Sequence, residues 1–148
     1  MGVSEDYYYA LVESILNDLS LTINVKIERH FPGNRNIGGK YSLKTKTITM
    51  YLEEIKEQCR GVLGTEERVI DYFKVILAHE IGHSEDRELE ELAIRKEHTK
   101  SNYAKHQLAL RIEENAWNYA KQALPELSPL IQVIQNHSMK IYMNRSTG

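Results

Sequence analysis

Cysteine is nearly absent from the chain: Cys59 is the only one in 148 residues, so no disulfide can form within it and no zinc site can be built from several thiolates. Any metal must rest on histidine and carboxylate. An excess of either charge is also missing, since Lys and Arg number 19 against 21 Asp and Glu, a formal net charge of -2. With no basic stripe, direct binding to nucleic acid or to an anionic membrane is not expected, and a polar peptide or protein is the partner left open. Long apolar runs are lacking too, and nothing approaches the roughly 20 residues of a membrane span. The opening run Met1-Gly2-Val3-Ser4-Glu5-Asp6 is acidic where a secretory leader needs a basic segment and then an apolar one. The expectation is a cytoplasmic protein. No repeat, low-complexity tract or linker breaks the sequence, so residues 1–148 are read as one domain, long enough to bury roughly 70% of its unfolded surface.

What is present is hydrophobic periodicity of two kinds. Tyr8, Leu11, Val12, Ile15, Leu16 and Leu19 recur at helical spacing over residues 4–19, whereas Leu21, Ile23, Val25 and Ile27 alternate with polar residues as in a half-buried strand. A turn-rich stretch, 31–39, precedes two short strands at 40–43 and 46–52 around a Lys44-Thr45 turn. A brief helix at 53–59 and a turn at 61–64 lead to Thr65, an expected N-cap with Glu66 and Glu67 in the favourable first turn. The helix so begun carries an apolar stripe of Val69, Ile70, Phe73, Ile76 and Leu77. Residues 84–100 offer only Leu89, Leu92, Ala93 and Ile94 for burial and read as a solvated helix. Another helix spans 103–124, and Ser128 with Pro129 reads as N-cap and first residue of a last helix running to about Met143.

At the end of the apolar helix stands His79-Glu80-Ile81-Gly82-His83. Histidines four residues apart lie one turn apart on one helix face, where both imidazoles can reach a single ion. Glu80 is rotated by roughly 100° from His79, beside such an ion and not on it. From there it can accept a proton from water acidified by the metal and return it to a departing amine. The plainer reading is a surface pair of histidines at a polar helix end.

A catalytic zinc needs a third protein ligand and an open position. The residue six beyond His83, where a metzincin carries a further histidine, is Leu89. His98 and His106 lie in polar surroundings and are expected to be solvated. Glu113 and Glu114 are better placed, and helical geometry separates them. Ala109, Ile112, Ala116, Trp117, Tyr119, Ala120, Ala123 and Leu124 form a broad apolar arc that includes position 113 and excludes 114. A carboxylate on a core-facing arc is costly unless paired or metal-bound, so Glu113 is the expected ligand. Pairing with a basic residue at a helix interface is the competing explanation.

The motif, followed thirty residues later by Glu113-Glu114-Asn115-Ala116-Trp117-Asn118-Tyr119-Ala120 and Ala123-Leu124-Pro125, resembles the ImmA/IrrE-type metallopeptidases, which are gluzincins, over roughly residues 39–125. The resemblance implies an α+β zincin-like fold, with a small N-terminal sheet packed on the metal helix and further helices completing the site. It implies one catalytic Zn2+ held by His79, His83 and Glu113, with Glu80 as general base. It further implies a metalloendopeptidase whose substrate class is a transcriptional repressor, and a strand hairpin, carrying Tyr41 and Ile48, that pairs with extended substrate. The chain departs from the family pattern at Asn115, at Trp117 where an asparagine is usual, and at Tyr119 in place of phenylalanine. Asparagine at that position could hold a metal-bound histidine, so here another group must do so. The alternative is a non-catalytic protein-binding regulator with a structural or vestigial metal site. Weaker signals are His137, on the apolar face of the last helix with Leu130, Ile134 and Ile141, as an oxyanion donor; Tyr7-Tyr8-Tyr9 as a contact surface; and Cys59, which lacks basic neighbours that would make it a nucleophile.

Overall fold

The computed structural model describes residues 4–146, with side chains to Lys140. Met1 to Val3 and the Ile141 side chain, which belong to the leader and last-helix expectations, lie outside the described residues. Among those described, six helices and a three-stranded sheet give an α+β fold. Helix α1, Glu5–Asp18, begins where the Ser4 side chain accepts from the Tyr7 backbone N–H, with Glu5 and Asp6 in its first turn. It buries Tyr8, Val12, Ile15 and Leu16. Tyr8 lies against Phe73, ring centroids 4.7 Å apart.

Strands β1 (Asn24–Glu28), β2 (Gly39–Ser42) and β3 (Thr47–Tyr51) follow. The hairpin is antiparallel, with Tyr41 opposite Ile48 and Ser42 opposite Thr47, and Lys46 at φ 55° helps turn the chain. Strand β1 joins the other side of β3 in parallel, Ile27 opposite Met50, giving the order β1-β3-β2. All five β3 residues are buried because this strand is central, whereas β1 keeps the in–out alternation of a strand with one wet face. The outward N–H of Ile27 in β1 donates to the Tyr9 hydroxyl at 3.0 Å. Strand β2 forms the other edge.

Helix α2, Leu52–Leu63, is longer than the brief helix expected, running through Gly61 and stopping at Gly64, whose φ of 76° suits a left-handed cap. Thr65 does not cap the next helix. Its hydroxyl accepts from the Glu67 N–H in a turn, its carbonyl accepts from the Cys59 thiol at 3.2 Å, and α3 begins only at Val69, running to Ser84. Burial, followed by the Glu66 charge, raises the Cys59 pKa. The solvated helix expected from 84 starts later as α4, Leu89–His98, since residues 85–88 form a turn in which the Asp86 carboxylate accepts from Glu88 N–H. Leu89 and Leu92 are buried there, while Ile94 is exposed. Ser101 caps α5, Asn102–Ala123. A 3-10 turn at Pro125–Leu127 precedes α6, Ser128–Ser146, so Ser128 is already helical and not the cap.

One hydrophobic cluster joins Tyr8, Ile48, Met50, Phe73, Leu77, Trp117 and Ile131, with α3 at its centre. From Tyr72 to Gly82 that helix is buried almost all round, more than a single stripe implies. No described helix is long and apolar enough to cross a membrane.

Candidate metal centre

The site forms where α3 and α5 cross. A Cβ on Gly82 would lie 2.6 Å from the Ala116 carbonyl oxygen and 2.9 Å from its Cα, so the two backbones meet at this pair as only a residue without a side chain permits. Three residues before Gly82 stands His79, and three before Ala116 stands Glu113. Each thus stands nearly one turn from the close contact on its own helix.

Glu113 bridges the two imidazoles: its Oε1 lies 3.1 Å from His79 Nε2 and its Oε2 lies 3.2 Å from His83 Nε2. Glu114 is exposed. Glu80 is buried and meets His79 from the other side of the ring, with Oε2 3.0 Å from Nδ1. One ligand atom each from His79, Glu80 and His83 lies within 4.8 Å of the others, so Glu80 also counts as a candidate ligand. Glu113 is not in that group, yet both histidines direct Nε2 toward its carboxylate, while Glu80 contacts the Nδ1 edge of only one. The rings of His79 and His83 are 4.7 Å apart and nearly perpendicular, and the indole of Trp117 lies 4.2 Å from the His79 ring at 37°. His83 Nδ1 is buried with no hydrogen-bond partner among the described residues.

Burial alone would pull the His79 pKa down, but hydrogen bonds with Glu113 and Glu80, together with their charges, raise it to about 10. Burial pushes Glu113 upward, yet contacts with His79 and His83 outweigh it and hold the carboxyl well below the usual range. Without metal, these contacts favour the imidazolium form of His79. The two Nε2 atoms and one carboxylate are a donor set suited to zinc, and a divalent cation would replace the positive charge that the shared proton supplies.

Other candidates stand apart. His98 is exposed and His106 is half-buried on α5, the latter less solvated than its polar neighbours in sequence imply. His137 is exposed, although Leu130 and Ile134 are buried. Tyr8 of the tyrosine run is core, while Tyr7 and Tyr9 are partly exposed. Sequence reasoning missed Gly82, whose signal was a small residue three beyond His79 matched by Ala116 three beyond Glu113. It also missed Gly39: a methyl there would lie 3.1 Å from Glu80 Cγ, so the start of β2 packs on that glutamate. Comparison with protein-family models, with curated proteins and with solved structures finds no match to this chain.

Proposed function

We propose that the chain is a zinc-dependent metalloendopeptidase with a zincin-like fold, acting in the cytoplasm, in which His79, His83 and Glu113 hold the metal and Glu80 is the general base. The observation that carries this reading is the Glu113 carboxylate, delivered from a second helix to within 3.1 and 3.2 Å of the two histidine Nε2 atoms. When bound, zinc would supply a Lewis acid that lowers the pKa of water to about 7 and polarises a carbonyl. Glu80 accepts the proton of the attacking water at its carboxylate and delivers it to the departing amine nitrogen, so hydroxyl and proton both end in the products. Its buried position excludes bulk water from that carboxylate. Strand β2 presents an outer edge beside it, where an extended peptide can add as a further strand. The resemblance to ImmA/IrrE-type enzymes points to a transcriptional repressor as the substrate class.

A protein-binding regulator with a non-catalytic metal site is the second reading, favoured by the contact between Glu80 and His79 Nδ1, which gives the glutamate a purely structural use. Elemental analysis after exchange against a weak chelator tests the site. Wild type and Glu114→Ala should hold about one zinc per chain, and His79→Ala and Glu113→Ala should lose it. Wild type that neither holds nor takes up zinc would overturn the peptidase reading. Glu80→Gln separates the two functions: retained zinc with abolished cleavage of a repressor substrate identifies the base, and unchanged partner binding with no cleavage by wild type identifies the regulator.

A further inference from the structure

Trp117 is the only tryptophan in the chain, is 2% exposed, and stands one turn beyond Glu113 on α5. The same helix therefore brings a carboxylate to the Nε2 of His79 and an indole to the face of its ring, with centroids 4.2 Å apart. Glu80 and Glu113 hold opposite edges of that imidazole. Contacts at the two edges oppose a large turn of the ring, but hydrogen bonds tolerate a modest tilt and the final histidine torsion is a broad one. A ring packed against the face limits that residual tilt. Packing alone does not call for an indole here, because leucine or phenylalanine would occupy the core without burying an N–H that finds no partner among the described residues.

We propose that Trp117 is a positioning residue that fixes the ligating orientation of His79 by stacking on its imidazole. The inference rests on the metal-site reading above. Its test compares wild type, Trp117→Phe and Trp117→Leu for zinc affinity by competition with a chromogenic chelator, each checked for folding by circular dichroism without metal. Trp117→Leu should bind zinc about tenfold more weakly or worse, the scale expected when a partner orienting a ligand is lost. Trp117→Phe, which keeps a ring on the face, should recover most of the affinity. Equal affinity of Trp117→Leu and wild type would overturn the proposal, as would Trp117→Phe binding as weakly as Trp117→Leu. Intrinsic fluorescence gives a readout independent of whether the leucine variant folds. Emission of the lone tryptophan should change in metal-free His79→Gln and on adding one equivalent of zinc to wild type. Emission that responds to neither overturns the stacking. If wild type binds no zinc, the metal-site reading falls and takes this inference with it, whereas tight wild-type binding that Trp117→Leu retains removes the inference alone.

Discussion

Helix α5 makes ionic contacts on two of its faces, and they differ in everything but chemistry. Toward α3, Glu113 meets His79 and His83, whose side chains are 11% and 12% exposed. Toward the turn before α4, Arg111 reaches both oxygens of Glu88, and Asn115 donates to Asp86 and Glu88, with Arg111 and Glu88 about half exposed. The wet seam is the better hydrogen-bonded of the two. Solvent nonetheless screens it, and side-chain entropy offsets what remains. In the dry seam the same kind of pairing shifts a histidine to about 10, because low dielectric strengthens each contact and penalises each unpaired charge. Contact number is therefore a poor guide to consequence, and burial a good one.

The strongest way to break this contrast is to pry open the dry seam. Gly82→Ala places a methyl against the Ala116 backbone, which cannot rotate away as a side chain could. It should destabilise the protein by about 1–3 kcal/mol and release the metal, read together by denaturant unfolding and zinc content. Normal stability with full zinc would show that the helices are not in contact at that pair.

A smaller effect sharpens the electrostatic half of the comparison. His79 has its pKa raised above its ordinary 6.5, so its contribution to metal-free stability is complete below that value and is lost as pH rises through about 10. Glu113 has a depressed pKa, so its contribution is complete above about 4.5 and is lost as pH falls through the lowered value. The cluster strengthens the metal-free fold most between about pH 4.5 and 6.5. The stability gap between metal-free wild type and His79→Gln should therefore shrink as pH approaches 10. A gap that stays constant across that range would mean that His79 is not held as an imidazolium. The smallest effect belongs to the wet seam: Arg111→Ala should leave the thermal midpoint and zinc content unchanged within error, and a marked loss would reverse the ranking of the two faces.

Residues whose fate depends on their own helix or strand were legible in the sequence. Tyr8, Val12, Ile15, Leu16 and Ile27 were placed by periodicity alone, and the hairpin that carries Tyr41 and Ile48 by its turn residues and strand propensity. Position 113 could be told from 114 because one helical step of roughly 100° separates a core-facing carboxylate from a solvated one. What depended on distant partners was not legible. Thr65 looked like a cap, yet its carbonyl receives the Cys59 thiol and Glu66 pairs with Arg60, so the turn holds on to residues the helix would have used. Parallel pairing of β1 with β3 leaves no periodic trace, since alternation tells which face is buried and nothing about the neighbouring strand. The Gly82–Ala116 contact and the Trp117 stack arise from how two helices cross, which neither helix encodes by itself.

The Tyr9 hydroxyl at the outer side of β1 has a meaning for assembly. With one flank of the sheet stoppered at Ile27 and the other ending in a strand of four residues, the sheet resembles a polymer with a single growing end. A strand adding beside β1 would have to displace the Tyr9 hydroxyl to reach the Ile27 N–H, so that flank begins with one of its donors already spent.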